Sequence, residues 1–256
     1  MKPVTIILIV VGVVIVLAAI ALVIYFTVAA TPNNPYGTIF ASNTNPNAGL
    51  WSDPQTWTYK VPPVASSTVQ IDVANGYVQT TPGSICTSLT VGRHALNNQL
   101  IVQNSDLTVS QTLWIGQYID GSGSIQMGED GVINCGSLRV GLNGTGNIIM
   151  NDNSTLSCST TADFNHYMQN TLAPAYVQMS GSALFTAGSL LTNINSYISI
   201  DENAQLVLSG NILTTVNSLI TSKWLRSINS TLTASYNSTT NVTTVSCIVA
   251  SSSSST

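Results

Sequence analysis

The segment Leu89-Thr-Val-Gly92 returns as Leu113-Trp-Ile-Gly116 and again as Leu138-Arg-Val-Gly141, with spacings of 24 and 25 residues between the glycines. No other feature restricts the fold so tightly. Self-similarity at a fixed period of this length marks a solenoid or array, in which one repeat cannot bury its apolar face alone. A second register supports the first. The stretch that opens Ile125-Gln-Met-Gly and closes Cys135-Gly-Ser-Leu138 is echoed 52 residues later by Val177-Gln-Met-Ser and Ala187-Gly-Ser-Leu190, an offset of two periods of about 26.

Each period holds short alternating runs, among them Val69-Gln-Ile-Asp-Val73, Asp106-Leu-Thr-Val109, Tyr197-Ile-Ser-Ile200 and Gln205-Leu-Val-Leu208. Gly, Asn, Asp and Ser punctuate them. Period-two alternation between turn residues is the half-buried strand signal. Short alternating strands also build antiparallel sandwiches, but matched Leu-x-(Val/Ile)-Gly motifs favour coils stacked in register. Each strand then pairs in parallel with its copy one period away, roughly 4.8 Å distant. About six coils between residues 66 and 213 give a rod roughly 30 Å long. Gly92, Gly116 and Gly141 are expected to stack at a tight corner, where a positive φ costs glycine nothing.

The run Gly49-Leu-Trp-Ser-Asp-Pro-Gln-Thr-Trp57, followed by Val61-Pro-Pro and Val69-Gln-Ile, resembles the opening segment of secreted right-handed parallel β-helix proteins. The Leu-x-Val-Gly repeats are similar to those of pectin-lyase-like and autotransporter-like surface proteins. This resemblance covers roughly residues 49–213 and implies an all-β, right-handed parallel β-helix. It says little about activity, because one fold hosts many functions. The Asn-Thr-Asp, Asp-Asp and Gly-His-Gly signatures of pectin-degrading relatives are absent from the chain.

A solenoid must cover the strand edges at both ends. Trp51 and Trp57 suit the first coil. After Leu213 the repeat fades; residues 218–227 predict a short amphipathic helix, and residues 230–250 a hairpin about a Tyr236–Asn241 turn. The expected organisation is a transmembrane helix over residues 1–30, a spacer over 31–50, the β-helix over 51–213, a cap over 214–250 and a disordered Ser-rich tail over 251–256.

The anchor is read from Val4 to Ala30, which carries no charge and whose core from Ile6 to Tyr25 is almost entirely Ile, Val, Leu and Ala. That meets the roughly 20 residues needed to cross a bilayer. Lys2 precedes it and no charge follows until Asp53, so the N-terminus is expected inside and the remainder outside. Val28-Ala29-Ala30 also suits a signal-peptide cleavage site, although such apolar regions usually run about 7 to 15 residues.

Only 6% of the chain is Asp, Glu, Lys or Arg, against roughly 25% in ordinary domains, while 44% is apolar. Disorder is excluded by that apolar content. A net charge of −4, with six scattered basic residues, argues against nucleic acid. Five Asn-x-Ser/Thr sequons, at Asn143, Asn153, Asn229, Asn237 and Asn241, offer glycans as the solubilising group instead.

Four cysteines in an exported domain suggest oxidised pairs. Cys86 and Cys135 each precede a repeat glycine by 6 residues, and Cys158 follows Cys135 by 23, about one coil. Cys135 and Cys158 therefore form either a disulfide or part of a ladder of buried thiols. No cofactor or metal is expected, since no Cys-x-x-Cys pair exists and the histidines are His94 and His166 alone. The adjacent acids Glu129-Asp130 and Asp201-Glu202 sit at turns, where neighbours point apart; most acids are expected to be turn formers.

An insertion over roughly 159–175 interrupts the regular coils. Asp163, His166, Tyr167 and Tyr176 within and beside it are candidate contacts for a glycan or partner, because solenoid insertions bulge from one face. The leading expectation is a structural surface protein, held in a membrane by one span and assembling with other coat or envelope proteins of a cell or virion. An adhesion or carbohydrate-binding module is the second. A polysaccharide lyase or hydrolase is the third, and no catalytic residue is assigned to it.

Overall fold

The computed structural model describes residues 38–41, 49–164, 174–193 and 195–248. They form an all-β solenoid of about six turns. Each turn gives one strand to each of two sheets. The first sheet runs, in spatial order, through β2 (Gly49–Leu50), β4 (Tyr77–Gln79), β7 (Asn98–Gln103), β9 (Ser122–Gly128), β11 (Thr145–Met150), β13 (Ala175–Met179), β15 (Ser196–Ile200) and β17 (Leu225–Arg226). The second runs through β1 (Thr38–Phe40), β3 (Thr68–Ile71), β6 (Ser88–Val91), β8 (Asp106–Ile115), β10 (Val132–Val140), β12 (Thr155–Phe164), β14 (Leu184–Leu191) and β16 (Gln205–Ser209). Pairing along both sequences is parallel throughout.

The long second-sheet strands β8, β10, β12 and β14 run through a register shift in mid-strand. The β10 register slips between Cys135 and Ser137 against β8, and between Cys135 and Leu138 against β12. Two coils before β10 the same path is split into β5 (Ser84–Cys86) and β6, both of which pair with β8. Such bulges bend a strand and let a two-sheet coil enclose a filled interior.

The interior consists of ladders. Val78, Leu100, Ile125, Ile148, Val177, Ile198 and Leu225 stand in register along the first sheet, each at most 1% exposed. Leu107, Ile133, Leu156, Phe185 and Leu206 form a matching column in the second, each fully buried. Each such side chain contributes roughly 1.5–3 kcal/mol by leaving water, an upper figure because the unfolded chain is already partly collapsed.

Both ends are closed by aromatic side chains. Trp51 and Trp57 meet edge to face at 5.3 Å, and the Trp57 indole N–H donates to the Trp51 carbonyl at 2.8 Å. Between them Asp53 caps a 3-10 turn at Pro54–Thr56 by accepting from the Gln55 N–H. At the other end, helix α1 (Leu213–Thr221) buries Val216 against the core. Trp224 meets Phe164 edge to face at 5.5 Å. The hairpin β18 (Thr231–Asn237) and β19 (Val242–Ile248) adds to β16 in antiparallel pairing.

Two boundaries differ from expectation. The solenoid reaches into the segment expected as a spacer over 31–50: β1 pairs with β3, and β2 with β4. Ile39, 1% exposed, is the inward residue of a three-residue strand too short to show among its Pro and Asn neighbours. The helix lies at Leu213–Thr221, upstream of the predicted 218–227, because Val216, Leu219 and Ile220 form the face that packs on the core. The expected transmembrane helix over 1–30 and the tail over 251–256 lie outside the described residues. Among the described residues, no helix is long and apolar enough to cross a membrane.

Gly92, Gly116 and Gly141 stack as expected, at φ of 72°, 66° and 68°. Each glycine N–H donates to the carbonyl of the residue before the corner one coil back: Ile71, Val91 and Ile115. A Cβ on Gly116 would lie 2.2 Å from the Thr145 carbonyl oxygen of the next coil. Gly116→Ala is therefore expected to lower stability by at least about 1–3 kcal/mol, through positive-φ strain and that clash. Chemical denaturation of the two proteins checks it; an unchanged midpoint would contradict the stacked corner.

Candidate functional surface

The two corners of the coil are built differently. From β4 onward the corner leading from the first sheet to the second is short and nearly uniform, at residues 80–83, 104–105, 129–131, 151–154, 180–183 and 201–204. The opposite corner is longer and varies more, with described stretches at residues 92–97, 116–121, 141–144 and 210–224. Loops on a rigid scaffold are where contacts concentrate. The variable corner is the candidate surface.

The uniform corner explains the acidic residues. Asn104, Glu129, Asp152 and Glu202 each hold the left-handed conformation at the stacked position, with φ between 48° and 57°. Their side chains tie one coil to the next. Asn104 donates to the Glu129 carboxylate, the Glu129 N–H to Asp152 Oδ2, and the Gly181 N–H to Glu202 Oε2. Asp72 likewise accepts from the His94 and Ala95 N–H groups, both at 2.7 Å, and Asp106 from the Gly83 N–H at 2.9 Å. All but Glu129, which holds the Asn104 side-chain amide, accept from backbone N–H groups of a neighbouring coil.

Asp201 is a special case of this pattern. It accepts from the Ser227 hydroxyl at 2.6 Å, the Ile228 N–H at 2.9 Å and the Ser199 hydroxyl at 2.9 Å, and so fastens the strand leaving α1 to the last coil. Burial pushes its pKa up. The hydrogen bonds from Ser227, Ile228, Ser199 and the Asn229 N–H outweigh burial, and the net shift is downward.

The two described members of the proposed contact loop flank the variable corner, one in each sheet. Asp163, in β12, is 4% exposed and in register with Arg139 of β10. The Arg139 guanidinium lies 4.5 Å from the centre of the Trp114 ring, so Trp114, Arg139 and Asp163 form an outward column over three coils. A recess of about 300 Å³ beside it is lined by Ser137, Arg139, Thr160, Thr161, Asp163 and Leu191. Tyr176, in β13, stacks on Tyr197 at 5.2 Å and 5° and accepts from Asn147 Nδ2 at 3.0 Å. The Arg226 guanidinium covers Tyr197 from the other side, 3.3 Å from the ring centre. Between the two columns, His94 and Tyr118 stack at 4.6 Å and 3°. His166 and Tyr167 lie outside the described residues.

The columns were readable in principle. The repeat motif places Thr90, Trp114 and Arg139 at the same position, two residues before each glycine. Reading across repeats instead of along the chain would have stacked Trp114 under Arg139. Tyr197 and Arg226 had no such signal, because Arg226 follows α1, beyond the repeat.

Among the described residues, no group of three His, Cys, Asp or Glu side chains is placed to hold a metal. Asp163 has no second carboxylate in register, its neighbours being Arg139 and Leu191. Paired acid–base work on a glycosidic bond needs two carboxyl groups roughly 5–9.5 Å apart. Of the sequons, Asn143 is half-buried at the variable corner, Asn153 is exposed at the uniform one, and Asn229, Asn237 and Asn241 are exposed around the terminal hairpin.

No protein family, curated protein or solved structure matches this chain. What the structure bears out is the parallel β-solenoid of about six turns.

Cys135 and Cys158 are register partners, about 4.8 Å apart at Cα and within disulfide reach, and the structure holds them as thiols. They sit in one inward column with Cys86, Val109 and Ala187. A hydrogen bond from Cys135 lowers the Cys158 pKa to about 7 against the effect of burial, and the same bond with burial raises that of Cys135. Burial alone pushes Cys86 up to about 12.

Two measurements follow from these geometries. Alkylation of the reduced protein at pH 8, read by peptide mass, should be slow at Cys86, Cys135 and Cys158, each at most 5% exposed; modification as fast as in the denatured chain would contradict their burial in one column. Asp201→Asn should cost about 1 kcal/mol near neutral pH, below the usual worth of a hydrogen bond to a charge because water screens this partly exposed carboxylate. Because the folded pKa is depressed, that contribution is complete above the unfolded carboxylate value of about 3.9 and fades as pH falls through the folded one. Denaturation midpoints of the two proteins should therefore converge below about pH 4.

Proposed function

We propose that this chain is a structural surface protein: a right-handed parallel β-helix held in a membrane by residues 4–30, projecting outward, and assembling with coat or envelope proteins of a cell or virion. The observation that carries this reading is where the charge goes. In a chain with so few charged residues, the carboxylates of Asp72, Asp106, Asp152, Asp201 and Glu202 hold backbone N–H groups of neighbouring coils, and that of Glu129 holds the Asn104 side-chain amide. Side chains used this way favour a rigid spacer over a reactive cleft. The apolar, uncharged stretch at 4–30 and the single lysine before it support a span with the solenoid outside.

A second reading, adhesion or carbohydrate binding, is favoured by the variable corner. Its loops of unequal length are flanked by the Trp114–Arg139–Asp163 and Tyr176–Tyr197–Arg226 columns. Guanidinium, carboxylate and phenol groups beside aromatic surface are what a polar sugar would meet there.

Immunogold labelling of cells and purified particles with an antibody to the full chain separates location from role. Label on the outer side of a membrane or particle is expected; label confined to a soluble interior compartment would overturn the proposal. A glycan array probed with the detergent-solubilised full chain decides between the two readings. Specific binding that Trp114→Ala or Tyr176→Ala abolishes would replace the structural reading with the second.

A further inference from the structure

Among the described residues, the second sheet ends on β18 with no strand paired to its outer edge. β18 pairs with β19 on one side, through unbroken register from Thr231↔Ile248 to Asn237↔Val242, and it is the outermost strand of that sheet. An exposed strand edge is a template for pairing with another chain, and natural edges are guarded by charge, proline, bulges or a cover. β18 contains no proline and its pairing no bulge, and no charged residue follows Arg226 anywhere in the chain. Ile228 and Ile248, 72% and 53% exposed, add apolar surface beside the edge.

What this segment does carry is sequons. Asn229-Ser-Thr231 stands at one end of β18, Asn237-Ser-Thr239 at the other, and Asn241-Val-Thr243 just beyond the turn. The coils over residues 49–211 hold two sequons, whereas residues 229–243 alone hold three. All three asparagines are exposed. Asn237 Oδ1 accepts from the Thr239 and Thr240 N–H groups, and Asn241 Oδ1 from the Tyr236 hydroxyl. Each carbonyl oxygen is thus turned to the protein, so a substituent on the amide nitrogen leaves the hairpin's hydrogen bonds in place. Asn153 differs, since its Nδ2 donates to Asp130 Oδ1 at 3.3 Å.

We propose that Asn229, Asn237 and Asn241 are N-glycosylated and that the two glycans at the ends of β18, on Asn229 and Asn237, guard its open edge against pairing with β18 of a second copy. The inference rests on the outward placement of the solenoid proposed above. In the transfer, Nδ2 bonds to the anomeric carbon of a polyprenyl-diphosphate oligosaccharide. The bond from that carbon to the diphosphate oxygen breaks, the lipid diphosphate departs, and Nδ2 gives up one proton; no electrons are exchanged with an oxidant. Asn229 and Asn237 are about 27 Å apart along an extended strand, so a bulky hydrated group stands at each end of the edge. Without them, two β18 edges can meet antiparallel about a two-fold axis.

The test uses the full chain, produced in a eukaryotic secretory host and extracted in mild detergent. Trypsin cleaves after Arg226 and then meets no further Lys or Arg, so one peptide, residues 227–256, carries all three sites. Enzymatic deglycosylation in heavy-oxygen water should convert Asn229, Asn237 and Asn241 to labelled Asp. An unlabelled 227–256 peptide beside labelled Asn143 or Asn153 would overturn this inference and leave the outward placement standing. Absence of label at all five would count against that placement as well.

The guarding role is read from mass in solution. Thr231→Ala with Thr239→Ala removes both bracketing sequons and keeps their asparagines. The particle mass by light scattering should rise at least twofold over the glycosylated protein. Adding Thr233→Lys, a charge on the bare edge, should return it to the monomer mass. A double variant that stays monomeric would overturn the guard. So would a rise in mass that the lysine does not reverse, because the contact would then lie elsewhere.

Discussion

Everything in this molecule depends on parallel backbone pairing held in register from one coil to the next. In a solenoid each coil touches only its neighbours, so stability is a sum of nearest-neighbour interfaces. A slip of one residue would turn every inward Leu, Ile and Val outward. Two devices outside the strands prevent it. At one corner a glycine with positive φ admits the next coil's backbone at a distance no side chain would allow. At the other, carboxylates and amides bond the coil beside them. Register is thereby fixed at both ends of β7, β9 and β11, and the ladders between them need only be apolar.

That division of labour explains which parts of the fold were legible in the sequence. The glycine corner was visible because glycine is nearly irreplaceable there. The strands were visible because inward positions tolerate little but aliphatic residues. The uniform corner was harder to read: Asn104, Glu129, Asp152, Gly181 and Glu202 occupy one structural position with different residue types. The left-handed conformation accepts all of them, so spacing was retained and identity drifted. β1 escaped for a different reason. Three residues with one buried side chain, Ile39, are too few to establish a period.

The candidate surface was legible only in part, for a related cause. Asp163 and Tyr176 were picked out by the irregular length around them, and they do border the corner where the loops gather. Their partners were not foreseen, since Arg139 stacks on Trp114 through neighbouring coils and Tyr197 meets Arg226 across a helix. Outward columns of this kind bring residues some 25 positions apart within contact distance. A solenoid surface is therefore a two-dimensional lattice, on which sequence neighbours face opposite ways and repeat neighbours touch.

The terminal hairpin has a consequence for how such a chain can change length. β19 meets β16 antiparallel, so the winding cannot continue past it: a further coil would need a parallel partner that this strand does not offer. At the other end Trp51 and Trp57 fill the space where an earlier coil would sit. New coils can thus enter only between the two ends, by duplication of one repeat within the ladders. Each such event would lengthen the solenoid by a step of about 4.8 Å and leave both termini chemically unchanged. Variation in reach and conservation of the ends are, in this architecture, separate genetic quantities.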